Sequence, residues 1–338
     1  MPLPHVSICV PTYNGSAYLQ QTLHSISQQT FQDYEVIIVD DQSTDDTLAI
    51  ATHYAAADSR VRVISNAERA GSSARNANRC IGYAQGIWIK LLFQDDIMTP
   101  ACVARMVEAG CTGRFVVCWH DYRFEPGVDD TVRGWYENLP SLKTILPMQY
   151  ASVEAFCSAL LKRWNLNWIG PSSTCLIKRE CFKQYGLFSQ EIVTLPDLEY
   201  WIRVGSREGL TIVPERLVTF RVHAKSISAS LRNAGPSPRD LEPLLLLLLL
   251  THAPGYESVR RCASSSTPTI DVDAWVTRAA LNARWHAIDA RYRLRDNTRL
   301  DHWRIFCRKH PEILDVLRRA DASGSLWSRL KLHLKSWL

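Results

Sequence analysis

The chain of 338 residues lacks several features that would assign it to common protein classes. None of its 10 cysteines forms a Cys-x-x-Cys pair, which argues against a cysteine-based metal cage and favours reduced, buried thiols. The N-terminus lacks the charged and long apolar segments of a signal peptide. The leucine run 244–250 is far shorter than the roughly 20 apolar residues of a membrane-spanning helix. These absences predict a cytoplasmic protein.

The chain also lacks a strong overall charge. Its formal net charge is only +5, and the basic excess lies in residues 271–338, with 14 Lys and Arg against 8 Asp and Glu. The rest of the chain is close to neutral, so no nucleic-acid partner is expected. The loop from Pro11 to Gly15 has neither a second glycine nor a lysine, which argues against the phosphate-binding loop of a nucleotidyltransferase.

Apolar runs alternate with helical spacings in the first part of the chain. Strands are predicted over 6–10, 36–39, 61–65, 87–93 and 115–119. Helices are predicted between them over 17–26, 43–57, 71–84 and 100–109. This alternation is typical of an α/β protein with a mostly parallel twisted sheet flanked by helices.

The remainder of the chain is less regular. Helices are predicted over 151–164, 179–185 and 197–208, and strands over 173–177 and 217–222. Residues 235–238, Gly-Pro-Ser-Pro, indicate a linker. Helical patterns follow over 241–252, 272–296, 298–320 and 325–338. We therefore expect a first domain over 1–230 and an all-helical C-terminal extension over 231–338.

Two pairs of acids follow two predicted strands, Asp40 with Asp41 and Asp95 with Asp96. Ligands of open α/β sheets bind beyond the carboxyl ends of the strands, so both pairs are expected at one crevice. Clustered carboxylates repel one another unless a cation compensates them. A divalent metal that holds a phosphorylated ligand would do so. The pattern predicts an enzyme that acts on a nucleoside diphosphate compound.

Several sequence blocks together resemble family 2 glycosyltransferases, which are inverting enzymes of the GT-A fold. The blocks stand in the family's order at 6–15, 29–31, 35–45, 71–76, 94–96, 197–203 and 221–223. The resemblance covers about residues 5–230. It implies a GT-A type nucleotide-diphospho-sugar transferase domain, with a nucleotide-sugar half at about 1–120 and an acceptor half at about 120–230.

The resemblance implies five nucleotide-binding residues: Pro11, Tyr13, Asp41, Arg75 and Asp95. Tyr13 would stack on the base, Asp41 would accept the imide N–H of uracil, and Asp95 would face the ribose. Arg75 would reach the base or the phosphates. Structural roles stay open: Tyr13 as a core residue, Asp41 as a helix cap and Arg75 as a surface residue.

The resemblance also implies a site for Mg²⁺ or Mn²⁺ at Asp96 and His223. Such ions prefer oxygen ligands and accept few protein ligands when phosphates supply the rest. The chain departs from the family's Asp-x-Asp motif, because Phe93 stands at the first position. A helix-capping acid and a loop histidine are the structural alternatives.

Asp197 is the catalytic residue that the resemblance implies. It would act as the single general base that deprotonates the acceptor hydroxyl, because the nucleotide leaves without being protonated. Many relatives carry a second acid before it, whereas this chain has Pro196. The alternative role for Asp197 is a plain helix cap after that proline.

These observations predict a metal-dependent inverting glycosyltransferase. It would move a sugar from a nucleotide-diphosphate donor, a UDP-sugar by expectation, to a hydroxyl of a growing surface polysaccharide or lipid-linked glycan. The alternative is a non-catalytic nucleotide-sugar-binding or scaffold protein with the same fold.

The C-terminal segment 325–338 is basic and amphipathic, with Leu326, Leu330, Leu334 and Trp337 on one helical face. Such a helix suits a peripheral position on the inner face of the cell membrane. Packing on its own domain or in an oligomer is the alternative.

Overall fold

The computed structural model describes residues 3–192, 194–226, 229, 238–293, 295 and 297–322. The chain divides into two compact units, residues 1–230 and 231–338. None of the described helices is long and apolar enough to cross a membrane.

The first part of unit 1 alternates strands and helices. The strands are β1 (Val6–Thr12), β2 (Tyr34–Asp40), β3 (Val61–Ser65), β4 (Trp88–Leu91) and β5 (Ile97–Met98). The helices are α1 (Ser16–Ser27), α2 (Thr47–Ala57), α3 (Ser73–Tyr83) and α4 (Cys102–Ala109). Every residue of β1 and β2 is buried, including the polar Ser7 and Thr12 and the acidic Glu35 and Asp40, as in a strand that is covered on both faces.

The second part of unit 1 adds four strands and five helices. The strands are β6 (Phe115–Phe124), β7 (Tyr150–Ala151), β8 (Cys175–Lys178) and β9 (Leu210–Val222). The helices are α5 (Asp130–Glu137), α6 (Leu142–Ile145), α7 (Val153–Lys162), α8 (Arg179–Tyr185) and α9 (Pro196–Glu208). A 3₁₀ turn, Ser172–Thr174, leads into β8.

All nine strands form one sheet in the order β3-β2-β1-β4-β8-β6-β9-β5, with β7 also on β9. The predicted α/β architecture is confirmed. Parallel pairing holds among β3, β2, β1 and β4 and between β6 and β9. Strand β8 is antiparallel to both its neighbours, and β5 and β7 are antiparallel to β9, so the sheet is mixed beyond β4.

Strand β9 is longer than the predicted 217–222. It begins at Leu210, and the buried run 210–213 was not recognised because the polar stretch from Pro214 to Arg216 follows it. The structure accommodates that stretch with an irregular register, in which Cys118 lies opposite Val213 but Trp119 lies opposite Arg216. A bulge is a usual place for a proline in a strand.

Unit 2 is helical in its described residues. After a 3₁₀ turn (Pro238–Leu241) it has α10 (Glu242–His252), α11 (Glu257–Ser265), α12 (Val272–Arg293), α13 (Thr298–Lys309) and α14 (Glu312–Ala322). The prediction of a single helix over 298–320 is wrong. The helix is interrupted at Pro311, which has no backbone N–H with which to continue α13. The predicted helix over 325–338 lies outside the described residues.

Candidate active site

The carboxyl ends of β1 and β2 are joined by one side chain. The amide nitrogen of Asn76, on α3, donates to the carbonyl oxygens of Thr12 (3.1 Å) and Val39 (2.9 Å). Arg75, its neighbour, is exposed, and its backbone N–H donates to the Ser72 hydroxyl at 3.2 Å. Asn76 therefore holds the crevice together, while the predicted nucleotide contact Arg75 projects from the same helix into solvent.

Asp41 holds the loop that leads into α3. Its carboxylate accepts hydrogen bonds from the Asn66 amide (2.8 Å) and from the backbone N–H groups of Ala70 (2.5 Å) and Gly71 (3.1 Å). The Arg79 guanidinium lies 3.8 Å away. A carboxylate has about four acceptor positions, so Asp41 keeps capacity for one further donor such as an imide N–H.

Tyr13 is the exposed aromatic residue at the end of β1. Its side chain is 37% exposed, and the Arg69 guanidinium lies 4.0 Å from the ring centroid. The Gln94 side chain accepts from the Tyr13 N–H (2.8 Å) and donates to the Tyr13 carbonyl (3.0 Å). Gln94 thus couples Tyr13 to the second acidic pair. Pro11 is buried inside β1, opposite Val39.

The structure separates the two acids of the second pair. Asp95 is half-buried, and one of its carboxylate oxygens lies 3.0 Å from Nε2 of His223. Asp96 is only 1% exposed and accepts hydrogen bonds from the Ser173 hydroxyl (2.5 Å) and the Arg221 N–H (3.1 Å). Burial, and then the nearby Asp95 charge, raise the pKa of Asp96 well above its usual value. His223 therefore meets Asp95 and not Asp96.

A buried lysine lies below the acidic pair. Lys90, in β4, is fully buried, and its ammonium donates to the Ser173 carbonyl. The Ser173 hydroxyl also accepts the Phe93 N–H at 3.0 Å, so one serine connects the lysine, the strand end and Asp96. The Lys90 charge acts against the rise in the Asp96 pKa.

Arg221 fixes the position of the Asp95 and His223 pair. Its side chain is 1% exposed, and its guanidinium donates to the Asp95 carbonyl (2.9 Å), to Gln21 (2.7 Å) and to Glu125. The guanidinium also lies 4.5 Å from the centroid of the Tyr18 ring, which in turn lies 4.6 Å from the His223 ring. Because a buried guanidinium needs such partners, this cluster holds Arg221 in place beside the pair.

The donor chemistry of Asp95 and His223 fits a divalent metal. One carboxylate oxygen of Asp95 and the Nε2 nitrogen of His223 converge to 3.0 Å. The other ring nitrogen, Nδ1, is buried with no hydrogen-bond partner among the described residues and is not part of this pair. No group of three or more metal-binding side chains occurs in the described part of the chain. A metal here would therefore depend on phosphate oxygens for most of its ligands.

Asp197 lies in the first turn of α9. Its carboxylate accepts the Asn167 amide (2.9 Å) and the Leu198 N–H (2.8 Å), and burial raises its pKa to about 6. The N-cap position of α9 is Leu195, two residues earlier, so Asp197 does not occupy the capping position of the alternative interpretation. A carboxylate with a pKa near neutrality is suited to general base catalysis.

The turn that carries Asn167 supports both acidic centres. Asn167 also donates to the Gly170 carbonyl (3.0 Å), and the Trp201 indole N–H donates to the same oxygen (3.2 Å). A few residues later, Ser173 contacts Asp96. Segment 167–173 therefore connects the candidate base to the acidic pair at the end of β4.

Sequence reasoning did not identify the supporting residues. These are Asn76, Lys90, Gln94, Asn167, Ser173 and Arg221, of which several lie inside recognised blocks but were given no role. Among these residues, only Lys90 could have been identified from the sequence, because a lysine inside an apolar strand requires a buried hydrogen-bond partner.

Comparisons with known proteins find a family model, relatives and solved structures that are similar to this chain. Residues 7–170 match the family model described as Glycosyl transferase family 2. The chain is 25% identical over 210 residues to a Campylobacter jejuni GalNAc(5)-diNAcBac-PP-undecaprenol beta-1,3-glucosyltransferase, a match that covers 57% of this chain and 68% of that protein.

Solved structures share the fold. Staphylococcus aureus TarS 1-349, in complex with UDP-GlcNAc, aligns with a TM-score of 0.61 at 16% identity, covering 88% of this chain and 78% of that chain. The mannosyltransferase PcManGT from Pyrobaculum calidifontis, in complex with GDP-Man and Mn²⁺, aligns with a TM-score of 0.50 at 17% identity. The alignment covers 97% of this chain and 88% of that chain.

Proposed function

Because this chain belongs to glycosyl transferase family 2, we propose that it is a metal-dependent inverting enzyme that uses a nucleotide-diphosphate sugar. The main support is the pair formed by Asp95 and His223 at the end of β4, 3.0 Å apart and held by the buried Arg221. The position suits a diphosphate bound beyond the strand ends.

The nucleotide lies, in this proposal, against the ends of β1 and β2. The exposed Tyr13 ring offers a stacking surface, and Asp41 accepts the imide N–H of uracil with its remaining acceptor capacity. Arg75 approaches the nucleotide from α3. These roles favour UDP as the nucleotide, and the UDP-GlcNAc complex of TarS agrees with that choice.

Asp95 and His223 are the proposed metal ligands. Asp96, first expected to bind the metal, is only 1% exposed and accepts hydrogen bonds from Ser173 and Arg221, and we assign it the role of holding the strand end. A divalent cation such as Mg²⁺ or Mn²⁺, when bound, stabilises the negative charge of the departing diphosphate.

Asp197 is the proposed general base. It takes the proton of the acceptor hydroxyl while that oxygen forms a bond to the anomeric carbon of the sugar. The bond from this carbon to the diphosphate breaks, and its electron pair leaves with the nucleotide. Asn167 and the Leu198 N–H orient the carboxylate for this step.

We further propose an acceptor that is a surface polysaccharide or a lipid-linked glycan, supported by the similarity to the Campylobacter jejuni GalNAc(5)-diNAcBac-PP-undecaprenol beta-1,3-glucosyltransferase. Segment 325–338 would bring the enzyme to the inner membrane surface, with oligomer contacts as the alternative use of that segment.

A thermal-shift screen tests the donor and the metal together. UDP and UDP-sugars should raise the melting temperature in Mn²⁺ and much less in EDTA, since ligands of the native state stabilise it. A shift that is equal in both conditions would remove the metal from the proposal. The non-catalytic alternative would show the same binding but no sugar transfer to any acceptor.

A further inference from the structure

Unit 2 contains a cavity that the proposed glycosyl transfer does not use. Its volume is about 240 Å³, and its walls come from the 3₁₀ turn 238–241 and from helices α12 and α13. Its apolar walls are formed by Leu241, Ala283, Ala287 and Trp303. Its polar walls are formed by Asp240, His286, Arg299 and His302. The cavity is therefore amphipathic.

The polar atoms of this cavity are incompletely satisfied. Nε of Arg299 and Nδ1 of His302 are both buried and have no hydrogen-bond partner among the residues that the structure describes. The Asp240 carboxylate lies 3.9 Å from Nε of Arg299, which is beyond hydrogen-bond distance. The Arg299 side chain as a whole is 38% exposed and forms an ion pair with Asp240, so only its Nε is buried. Buried polar atoms are normally paired, so these two nitrogens leave room for an added hydrogen-bond partner.

The spacing of these residues places the nitrogens on one side of the cavity. Arg299 and His302 are three residues apart on α13, and Trp303 is one residue further, so the three share a helix face. His286 lies on α12 at the same cavity. The arrangement combines a guanidinium, two imidazoles and an indole wall.

The chemistry of the cavity favours an anion over other ligands. Arg299 disfavours a metal cation, and no metal-binding cluster of three side chains occurs in the described ranges. Small-molecule sites for drug-sized ligands span about 300–1,000 Å³, so this cavity is too small for a nucleotide. Guanidinium and imidazole groups are the usual partners of phosphate oxygens.

We propose that this cavity binds a phosphate monoester, with the phosphate between Arg299 and His302 and the adjoining carbon chain against Trp303 and Leu241. The same chemistry is offered by a free phosphorylated metabolite and by the headgroup of a phosphate-bearing lipid. Asp240 opposes the anion and limits its affinity.

Calorimetric titration of the full-length protein with inorganic phosphate in EDTA tests the site. The parent should bind, and the double variant Arg299→Gln with His302→Gln should bind at least tenfold more weakly. Arg308→Gln removes the same charge from an exposed position of α13 and should bind as the parent does. Asp240→Asn should bind more tightly than the parent because one negative charge is removed.

A vesicle-binding assay distinguishes a lipid headgroup from a free phosphorylated metabolite as the source of the phosphate. Phosphatidylcholine vesicles with added phosphatidic acid should retain the parent more than the double variant if the lipid headgroup is the source. Retention that is equal for both, together with phosphate binding that differs, identifies a soluble phosphate. No phosphate binding by the parent, or an equal loss in Arg308→Gln, would overturn the proposal. Failure of sugar transfer would leave these results unaffected, because every proposed transfer residue lies in unit 1.

Discussion

Asp96 is buried and Asp197 is half-buried, and the two acids have different partners. Asp96 accepts hydrogen bonds from Ser173 and Arg221 in the segment between β4 and β5. Asp197 accepts Asn167 and Leu198 at the start of α9, and its pKa is raised to about 6. The first acid holds a serine hydroxyl and a backbone N–H, whereas the raised pKa of the second suits the proposed proton transfer.

This difference shows that being an aspartate does not by itself define the role of a residue in the candidate active site. Four aspartates follow strands or begin a helix here, and each has a distinct set of partners. Asp41 accepts hydrogen bonds from a loop, and Asp95 contacts His223. Asp96 is buried and accepts from Ser173, whereas the pKa of Asp197 is raised to about 6. The partners therefore support the proposed division, in which Asp95 binds the metal and Asp197 takes the proton.

The largest expected effect is on Asp197. Asp197→Asn should lower the rate of sugar transfer by about 10²–10⁴, because a positioned general base contributes that much. The variant should be at least as stable as the parent at pH 7, because the folded pKa lies above the unfolded one and the ionised form is disfavoured by folding. Glu191→Gln, an exposed acid nearby, is the matched control for the transfer assay. Transfer by Asp197→Asn within a few-fold of the parent would remove this residue from the mechanism.

Asp96→Ala should reduce stability. It leaves the Ser173 hydroxyl and the Arg221 N–H without their acceptor, and each unsatisfied buried group costs about 1–3 kcal/mol. Urea unfolding of Asp96→Ala and Asp95→Ala compares the two neighbours. Equal losses in both variants would contradict the separation of roles, since Asp95 is partly exposed.

Asp95→Ala should abolish the effect of metal on nucleotide affinity. In the parent, removal of Mn²⁺ with EDTA should weaken UDP binding at least tenfold, which is about 1.4 kcal/mol. The variant should show one weak affinity in both conditions, and His223→Ala should behave in the same way. Calorimetry that finds full metal dependence in either variant would place the metal elsewhere.

The pH dependence of transfer should report Asp197. With a pKa of about 6, the carboxylate is ionised at pH 7 and mostly protonated at pH 5. The rate at pH 5 should therefore be about one tenth of its plateau value, and activity is lost as the pH falls. Stability should change in the opposite direction. As the pH falls, Asp197 is protonated, its buried charge is removed and the folded state is stabilised. A rate that stays flat from pH 7 to pH 5 would be inconsistent with this assignment.

Much of the fold was predictable because periodicity reports burial. The continuous apolar runs of β1 and β2 and the acids that follow β2 and β4 were visible in the sequence. The start of β9 was not, because Pro214 and its polar neighbours obscure a bulge that exists only in the pairing with β6. Partners such as Ser173 for Asp96 and Asn167 for Asp197 depend on long-range contacts, which no local pattern encodes.

The most direct test measures UDP affinity in Mn²⁺ and the rate of sugar transfer on the same three proteins: the parent, Asp95→Ala and Asp197→Asn. Asp95→Ala should lose affinity and rate, whereas Asp197→Asn should lose only rate and bind UDP within a few-fold of the parent. If both variants lose affinity to the same extent, metal binding and proton transfer are not divided between these two acids, and the central claim is contradicted.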